Sequence, residues 1–139
     1  HYSMTLHSLS ARPLPSNYVL SLGQQVLDVI NKVHSVDFSI NDIKPSNIFI
    51  TSTGKVCVGD FGGYTPLLAD RLVEYSAEYL PEELHLQPVT KVNDIACLAS
   101  TLLELMNQKP HEITMSTLRT AARLVRDEAL KNFIVELVD

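Results

Sequence analysis

The stretch from Asn93 to about Asn107 predicts a helix that is apolar on nearly every side. Its apolar residues are Ile95, Ala96, Leu98, Ala99, Leu102, Leu103, Leu105 and Met106. A helix without a polar face is stable only when other elements surround it. Since 139 residues are enough to enclose one such helix, the sequence predicts a mainly α-helical domain built around it.

The remaining pattern predicts three amphipathic helices and one hairpin. Apolar residues recur at helical spacing over 18–34, with Asn17 as the expected cap, and again over 114–124 and 126–138. Two short β-rich runs, 48–51 and 56–59, flank a turn and predict a β-hairpin. Residues 1–17 and 63–81 are predicted to be loops with at most one helical turn each.

Composition excludes several classes of function. The net charge of -5 argues against a broad nucleic-acid surface and against a polybasic membrane patch. Every apolar run is shorter than the ~20 residues that a membrane span needs. The two cysteines, Cys57 and Cys97, lie in apolar stretches, which predicts two buried thiols in a reducing, cytoplasmic compartment. The five histidines lack the close spacing of metal ligands.

Polar side chains suited to phosphoryl transfer flank the predicted hairpin. Asn47 precedes its first strand and Asp60 follows its second, so a tight hairpin should bring them side by side. Amide and carboxylate oxygens are ligands that suit Mg²⁺. Asp42, on the same loop as Asn47, could accept a proton from a hydroxyl, and Lys44 could balance a phosphate.

These residues carry a resemblance to a known family. Residues 40–47 read I-N-D-I-K-P-S-N and resemble the protein-kinase catalytic loop H-R-D-x-K-x-x-N, and 60–62 read D-F-G. Residues 76–82 are similar to the end of the activation segment, one residue shorter, and 93–99 are similar to the start of the central helix. Motifs in this order over 18–107 resemble a serine/threonine kinase, and imply its larger, mostly helical lobe.

The resemblance implies a role for each matching position. Asp42 would be the base that orients the substrate hydroxyl, and Lys44 would contact the transferred phosphate. Asn47 and Asp60 would hold Mg²⁺, and Phe49 would lie at the floor of the ATP cleft.

Supporting roles follow from the same resemblance. Ile40 would pack in place of the usual His, Phe61 would pack beneath the site, and Ser76 would hydrogen-bond near Asp42 and Lys44. Glu82 would anchor the activation segment through an arginine, with Arg123 and Arg126 as candidates. Asp94 would hold the backbone of the catalytic loop from below.

The sequence departs from the family pattern in two ways. Ile40 and Asn41 replace the usual His and Arg, and Asn41 cannot form a charge-assisted pair with an activation-loop phosphate. Activity is therefore expected to be constitutive or absent. The chain also has no G-x-G-x-x-G, no V-A-I-K lysine and no partner glutamate helix. We expect residues 1–17 to be a connector, and 18–139 to be a kinase large-lobe-like domain without the ATP-gripping lobe and the last helices.

Two main interpretations follow, and an unrelated helical domain is a distant third. In the first, the chain is a serine/threonine kinase core that acts on proteins with Mg²⁺ and ATP when a small lobe is supplied, and that binds nucleotide weakly or not at all alone. In the second, it is an inactive, pseudokinase-like interaction scaffold. Exposed apolar surface near Phe49 predicts self-association or a bound protein partner in either case.

Overall fold

The computed structural model describes residues 3–9, 12–58, 64–69 and 76–139. Within these ranges the helices are α1 (Leu6–Leu9), α2 (Ser16–His34), α3 (Lys91–Leu105), α4 (Met115–Arg123) and α5 (Glu128–Val138). The strands are β1 (Ser3–Thr5), β2 (Phe38–Ser39), β3 (Ile48–Thr51), β4 (Val56–Val58) and β5 (Thr65–Pro66). Single 3₁₀ turns lie at Pro45–Asn47 and Glu82–Leu84.

Helix α3 lies at the centre of the domain, as predicted. Six of its apolar side chains are at most 1% exposed, namely Ala96, Leu98, Ala99, Leu102, Leu103 and Leu105. Helices α2, α4 and α5 all pack against it. Its start is fixed by Thr90 and Asn93, which form a capping box, so the helix begins two residues before the predicted position.

The predicted helix over 18–34 is confirmed, but its cap is not. Helix α2 begins at Ser16 after Pro15, so Asn17 lies inside the first turn and the prediction of an Asn17 cap is wrong. Pro15 is the last residue before the helix with a non-helical backbone, and the helix starts at the residue that follows it. Further along, a Cβ on Gly23 would approach Leu102 Cδ1 and Phe133 Cε2 to 2.9 Å. Gly23 therefore allows α2 to pack closely against α3 and α5.

The predicted hairpin is also confirmed, and it belongs to a larger sheet. Strands β3 and β4 are antiparallel, with Ile48 opposite Val58, and Gly54 provides a left-handed turn residue with φ of +83°. Strand β1 pairs antiparallel with the other edge of β3, with Thr5 opposite Phe49. The prediction of a loop over 1–17 is wrong at β1, because a strand of three residues is too short to show an alternating pattern.

A second small sheet joins the segment before β3 to the predicted loop over 63–81. Strands β2 and β5 pair antiparallel, with Ser39 opposite Thr65. This pairing ties the entry of the polar loop at residues 40–47 to the segment after residue 63. Helices α4 and α5 are confirmed, and side chains of Thr114 and Asp127 cap their first turns.

The expectation for the cysteines holds for only one of them. Cys97 is buried in α3, but Cys57 is exposed on β4. Successive residues of a strand point to opposite faces, so the face that buries Val56 turns Cys57 outward. Among the described helices, none combines the length and the apolar character that crossing a membrane requires.

Candidate active site

The carboxylate of Asp94 gathers four polar groups at the start of α3. Its Oδ2 accepts hydrogen bonds from Ser39 Oγ and Ile40 N, both at 2.9 Å, and lies 2.8 Å from His34 Nε2. Its Oδ1 accepts from Asn41 N at 2.9 Å. Asp94 is 1% exposed, and a carboxylate so deeply buried is tolerated only when it is fully hydrogen-bonded. The backbone at residues 40–41 is thereby fixed to the central helix.

The loop then turns sharply to present Asp42. Asn41 and Asp42 have φ of +60° and +47°, the left-handed region that Asn and Asp tolerate better than most residues. Ile43 follows and is fully buried, and its carbonyl accepts from Thr101 Oγ1 at 3.4 Å. Anchors on both sides therefore direct the half-buried Asp42 side chain outward.

Asp42, Lys44 and Ser76 lie together. Ser76 Oγ donates to Asp42 Oδ1 at 2.6 Å, and Lys44 Nζ donates to Ser76 Oγ at 2.9 Å. Lys44 Nζ is also 3.4 Å from Asp42 Oδ2, and both side chains are about a quarter exposed. The arrangement offers a carboxylate and an ammonium group to a molecule arriving from solvent.

Asn47 lies next to this group, at the end of the Pro45–Asn47 turn. Its Nδ2 donates to the Asp42 carbonyl at 2.8 Å and lies 3.5 Å from Asp42 Oδ2. The amide oxygen therefore points away from Asp42. Asp60 and Phe61, the other residues predicted on this side of the site, lie outside the described residues.

The two apolar positions predicted at the site behave differently. Ile40 is 3% exposed and belongs to the core. Phe49 is half-buried in the middle of the three-stranded sheet, between Thr5 and Cys57. The expected bare apolar floor at Phe49 is therefore only partly open to water, because β1 lies along one side of it.

Comparison with known proteins decides the family. The family model for the protein kinase domain matches residues 3–133. The chain belongs to the protein kinase family.

Several curated proteins are similar to this chain. A probable serine/threonine-protein kinase of Dictyostelium discoideum is 27% identical over 121 residues, covering 84% of this chain and 24% of the relative. Cytokinesis protein sepH of Aspergillus terreus is 29% identical over 147 residues, covering 95% of this chain and 11% of the relative. Serine/threonine-protein kinase PknA of Corynebacterium glutamicum is 32% identical over 99 residues, covering 67% of this chain and 21% of the relative. The chain thus spans at most 24% of the length of these three relatives.

Within this kinase fold, Asn41 makes a contact that the sequence did not predict. Its Nδ2 donates to Thr65 Oγ1 on β5, and Ser39 Oγ lies 3.0 Å from its Oδ1. The residue in the position of the family's arginine therefore binds the segment after residue 63 through neutral groups. Ser39 pairs with Thr65 on the distant strand β5, and no local sequence pattern signals that pairing.

The predicted arginine partner of Glu82 is not found among the described residues. Arg123 instead donates to Asp139 at 2.8 and 3.1 Å, and both Glu82 and Arg126 are exposed. The proposed pairing of Glu82 with Arg123 is therefore wrong, because the end of α5 lies closer to that guanidinium. Glu82 contributes its backbone N–H, which donates to Ile113 O at 2.9 Å.

Cys97 lies beneath the site, and its buried thiol is expected to be unreactive. Burial raises the pKa of its thiol well above the usual value, and the nearby carboxylates of Asp94 and Asp42 raise it further. A protonated, buried thiol is a poor nucleophile. Cys97 is therefore not a candidate nucleophile, and the charged side chains that reach solvent at the candidate site are Asp42 and Lys44.

Proposed function

We propose that residues 18–139 form the larger lobe of a serine/threonine protein kinase, acting on protein substrates together with a glycine-rich lobe that residues 1–139 do not contain. The observation that carries this proposal is the contact of Asp42 with both Ser76 and Lys44. Such a set places a proton acceptor, a hydroxyl and a cation within one hydrogen-bond chain. Phosphoryl transfer depends mainly on positioning and charge neutralisation, which these groups provide.

Asp42 would orient the substrate hydroxyl. Its Oδ1 is occupied by Ser76 Oγ at 2.6 Å, which leaves Oδ2 as the oxygen to accept the hydroxyl proton. Lys44, 3.4 Å from Oδ2, would stabilise negative charge on the group being transferred. Ser76 would hold the two side chains in place, since its hydroxyl donates to Asp42 and accepts from Lys44.

Asn47 and Asp60 would hold Mg²⁺. The Asn47 amide donates through Nδ2 to Asp42 O, so its oxygen is the group left for a hard cation. The described residues contain no cluster of three or more His, Cys, Asp or Glu side chains that could hold a metal by themselves. Mg²⁺ commonly takes few protein ligands and completes its shell with phosphate oxygens and water. Bound Mg²⁺-ATP would supply the phosphoryl group.

An inactive interaction scaffold is the second candidate. Asn41 cannot bind a phosphate as an arginine would, and its contact with Thr65 holds the segment through neutral groups. The sequence also lacks G-x-G-x-x-G. In this case the half-buried face around Phe49 would bind a protein partner or a second copy of the chain.

Titration with Mg²⁺-ATP separates the two candidates. The first predicts a Mg²⁺-dependent rise in Tm that Asp60→Asn abolishes, because a metal ligand is lost. Asp28→Asn is the matched control, since Asp28 is exposed on α2 and away from the site. A wild-type Tm that is unchanged at millimolar ATP, with and without Mg²⁺, supports the scaffold and contradicts nucleotide binding by residues 1–139 without a glycine-rich lobe.

A further inference from the structure

Lys109, just beyond α3, is held by three different groups. Its Nζ lies 3.1 Å from Glu104 Oε2, donates to Glu78 O at 3.0 Å, and sits 4.3 Å from the centre of the Tyr79 ring. Lys109 is 16% exposed. One ammonium group therefore joins the end of the central helix to residues 78–79.

These contacts are stronger than those of an ordinary surface ion pair. A carboxylate, a carbonyl and an aromatic face surround one partly buried cation, whereas an exposed Lys–Glu pair contributes little. Burial, and then the charges of Glu104 and Glu78, raise the pKa of Tyr79 to about 12, so the ring stays neutral. A pocket of about 380 Å³ opens beside Lys109. The ammonium group is therefore held by Glu104, Glu78 O and the Tyr79 ring, and not by being enclosed on all sides.

Glu78 and Tyr79, which Lys109 contacts, belong to a single turn that begins at Ser76. The backbone N–H groups of Tyr79 and Leu80 donate to Ser76 O at 3.0 and 3.1 Å. Ser100 Oγ, on α3, donates to Tyr79 O at 2.7 Å. The turn is therefore fixed to α3 at residues 78–80, while Ser76 contacts Asp42 and Lys44.

We propose that Lys109 is a positioning residue that holds the turn of residues 76–80 so that the Ser76 hydroxyl reaches Asp42 and Lys44. The significance of that contact rests on the proposed function of Asp42. An ammonium group of the chain itself thus fixes this part of the segment through Glu78 O and the Tyr79 ring.

Native-state hydrogen exchange of the full chain tests the positioning role. Lys109→Met keeps the length of the side chain and removes its charge, so the amides of Tyr79 and Leu80 are expected to exchange about tenfold faster. Lys109→Arg keeps a cation and should stay close to wild type. Lys131→Met is the matched control, since it removes the Lys131–Glu128 pair on α5, and should leave both amides unchanged.

A second measurement separates positioning from general stability. The ¹³C shift of the Asp42 carboxyl carbon in Lys109→Met should move toward its value in Ser76→Ala, because Ser76 no longer donates to Asp42. Unchanged Tyr79 and Leu80 amides in Lys109→Met, or equal acceleration of the α5 amides, would overturn the proposal. If Lys109→Met does not fold, Glu104→Gln tests the same two amides with the ammonium group kept.

Neither measurement uses nucleotide. A chain that fails to bind Mg²⁺-ATP but shows these exchange and shift changes would contradict the proposed kinase function alone, and leave the role of Lys109 intact.

Discussion

Asp94 Oδ1 accepts the backbone N–H of Asn41 at 2.9 Å, which fixes the residue before Asp42 to the first turn of the central helix. The same carboxylate also binds Ser39, Ile40 and His34. A single buried side chain thus connects the core of the domain to the loop that carries the candidate base. The conformation of the site depends on this carboxylate.

Replacing Asp94 should therefore be costly. Asp94→Ala leaves several buried donors without an acceptor and should lower the free energy of unfolding by about 3–5 kcal/mol. Asp94→Asn keeps the shape but turns an NH₂ group toward donors, and should cost about 2 kcal/mol. Urea unfolding measures both, with Asp28→Asn as the control. A loss below about 1 kcal/mol for Asp94→Ala would show that the loop is held by other contacts.

The contact between Asn41 and Thr65 should be measurable as a coupling energy. Asn41→Ala and Thr65→Val each remove one partner, and a double-mutant cycle should give a coupling of about 1 kcal/mol. The control cycle combines Asn41→Ala with Thr53→Val in the exposed turn of the hairpin, where the effects should be additive. Additive effects in the Asn41–Thr65 cycle as well would contradict the contact.

The two cysteines should differ sharply in reactivity. Cys57 is exposed, whereas Cys97 is buried and has a raised pKa. A thiol reagent should label one group rapidly in the folded protein and a second only after denaturation. Cys57→Ser should remove the rapid reaction, and Cys97→Ser should leave it unchanged. Rapid labelling of two thiols in the native protein would contradict the position of Cys97.

Tyr79 should make the fold sensitive to alkaline pH. Its pKa is raised from the ordinary tyrosine value of 10.0 to about 12 in the folded protein, first by burial and then by Glu104 and Glu78. Between these values the unfolded chain loses the phenol proton while the folded chain keeps it, so stability falls as pH rises. Tyr79→Phe should weaken this loss, as measured by urea unfolding between pH 9 and about 11.5. An identical pH dependence in Tyr79→Phe would show that its phenol titrates alike in both states.

The sequence predicted the parts of this fold that depend on local pattern. Helix α3 is evident because its apolar residues cover every side, and the hairpin is evident from two β-rich runs around Gly54. Strand β1 has only three residues, and its partner β3 lies more than forty residues later, so nothing local marks it. The start of α2 was misplaced because Asn17 is a good capping residue by type, while Pro15 decides the geometry.

The candidate site could be predicted only in part for the same reason. The motif at residues 40–47 names Asp42, Lys44 and Asn47, which the structure places together. The contacts of Lys109 with Tyr79 and of Asn41 with Thr65 join residues that are 24 or more positions apart. Such contacts depend on how the helices pack, and the exposure of Cys57 depends on which face of β4 the core covers.

Line broadening by a paramagnetic ion tests the central claim most directly. Mn²⁺ can take the place of Mg²⁺ beside ATP, and it broadens the NMR signals of residues close to it. With ATP present, we expect the signals of Asn47 and Asp42 to be broadened first, those of α5 to stay sharp, and Asp60→Asn to remove the effect. Sharp Asn47 and Asp42 signals at saturating Mn²⁺-ATP, or broadening that is the same in Asp60→Asn, would contradict the assignment of this loop as the site of phosphoryl transfer.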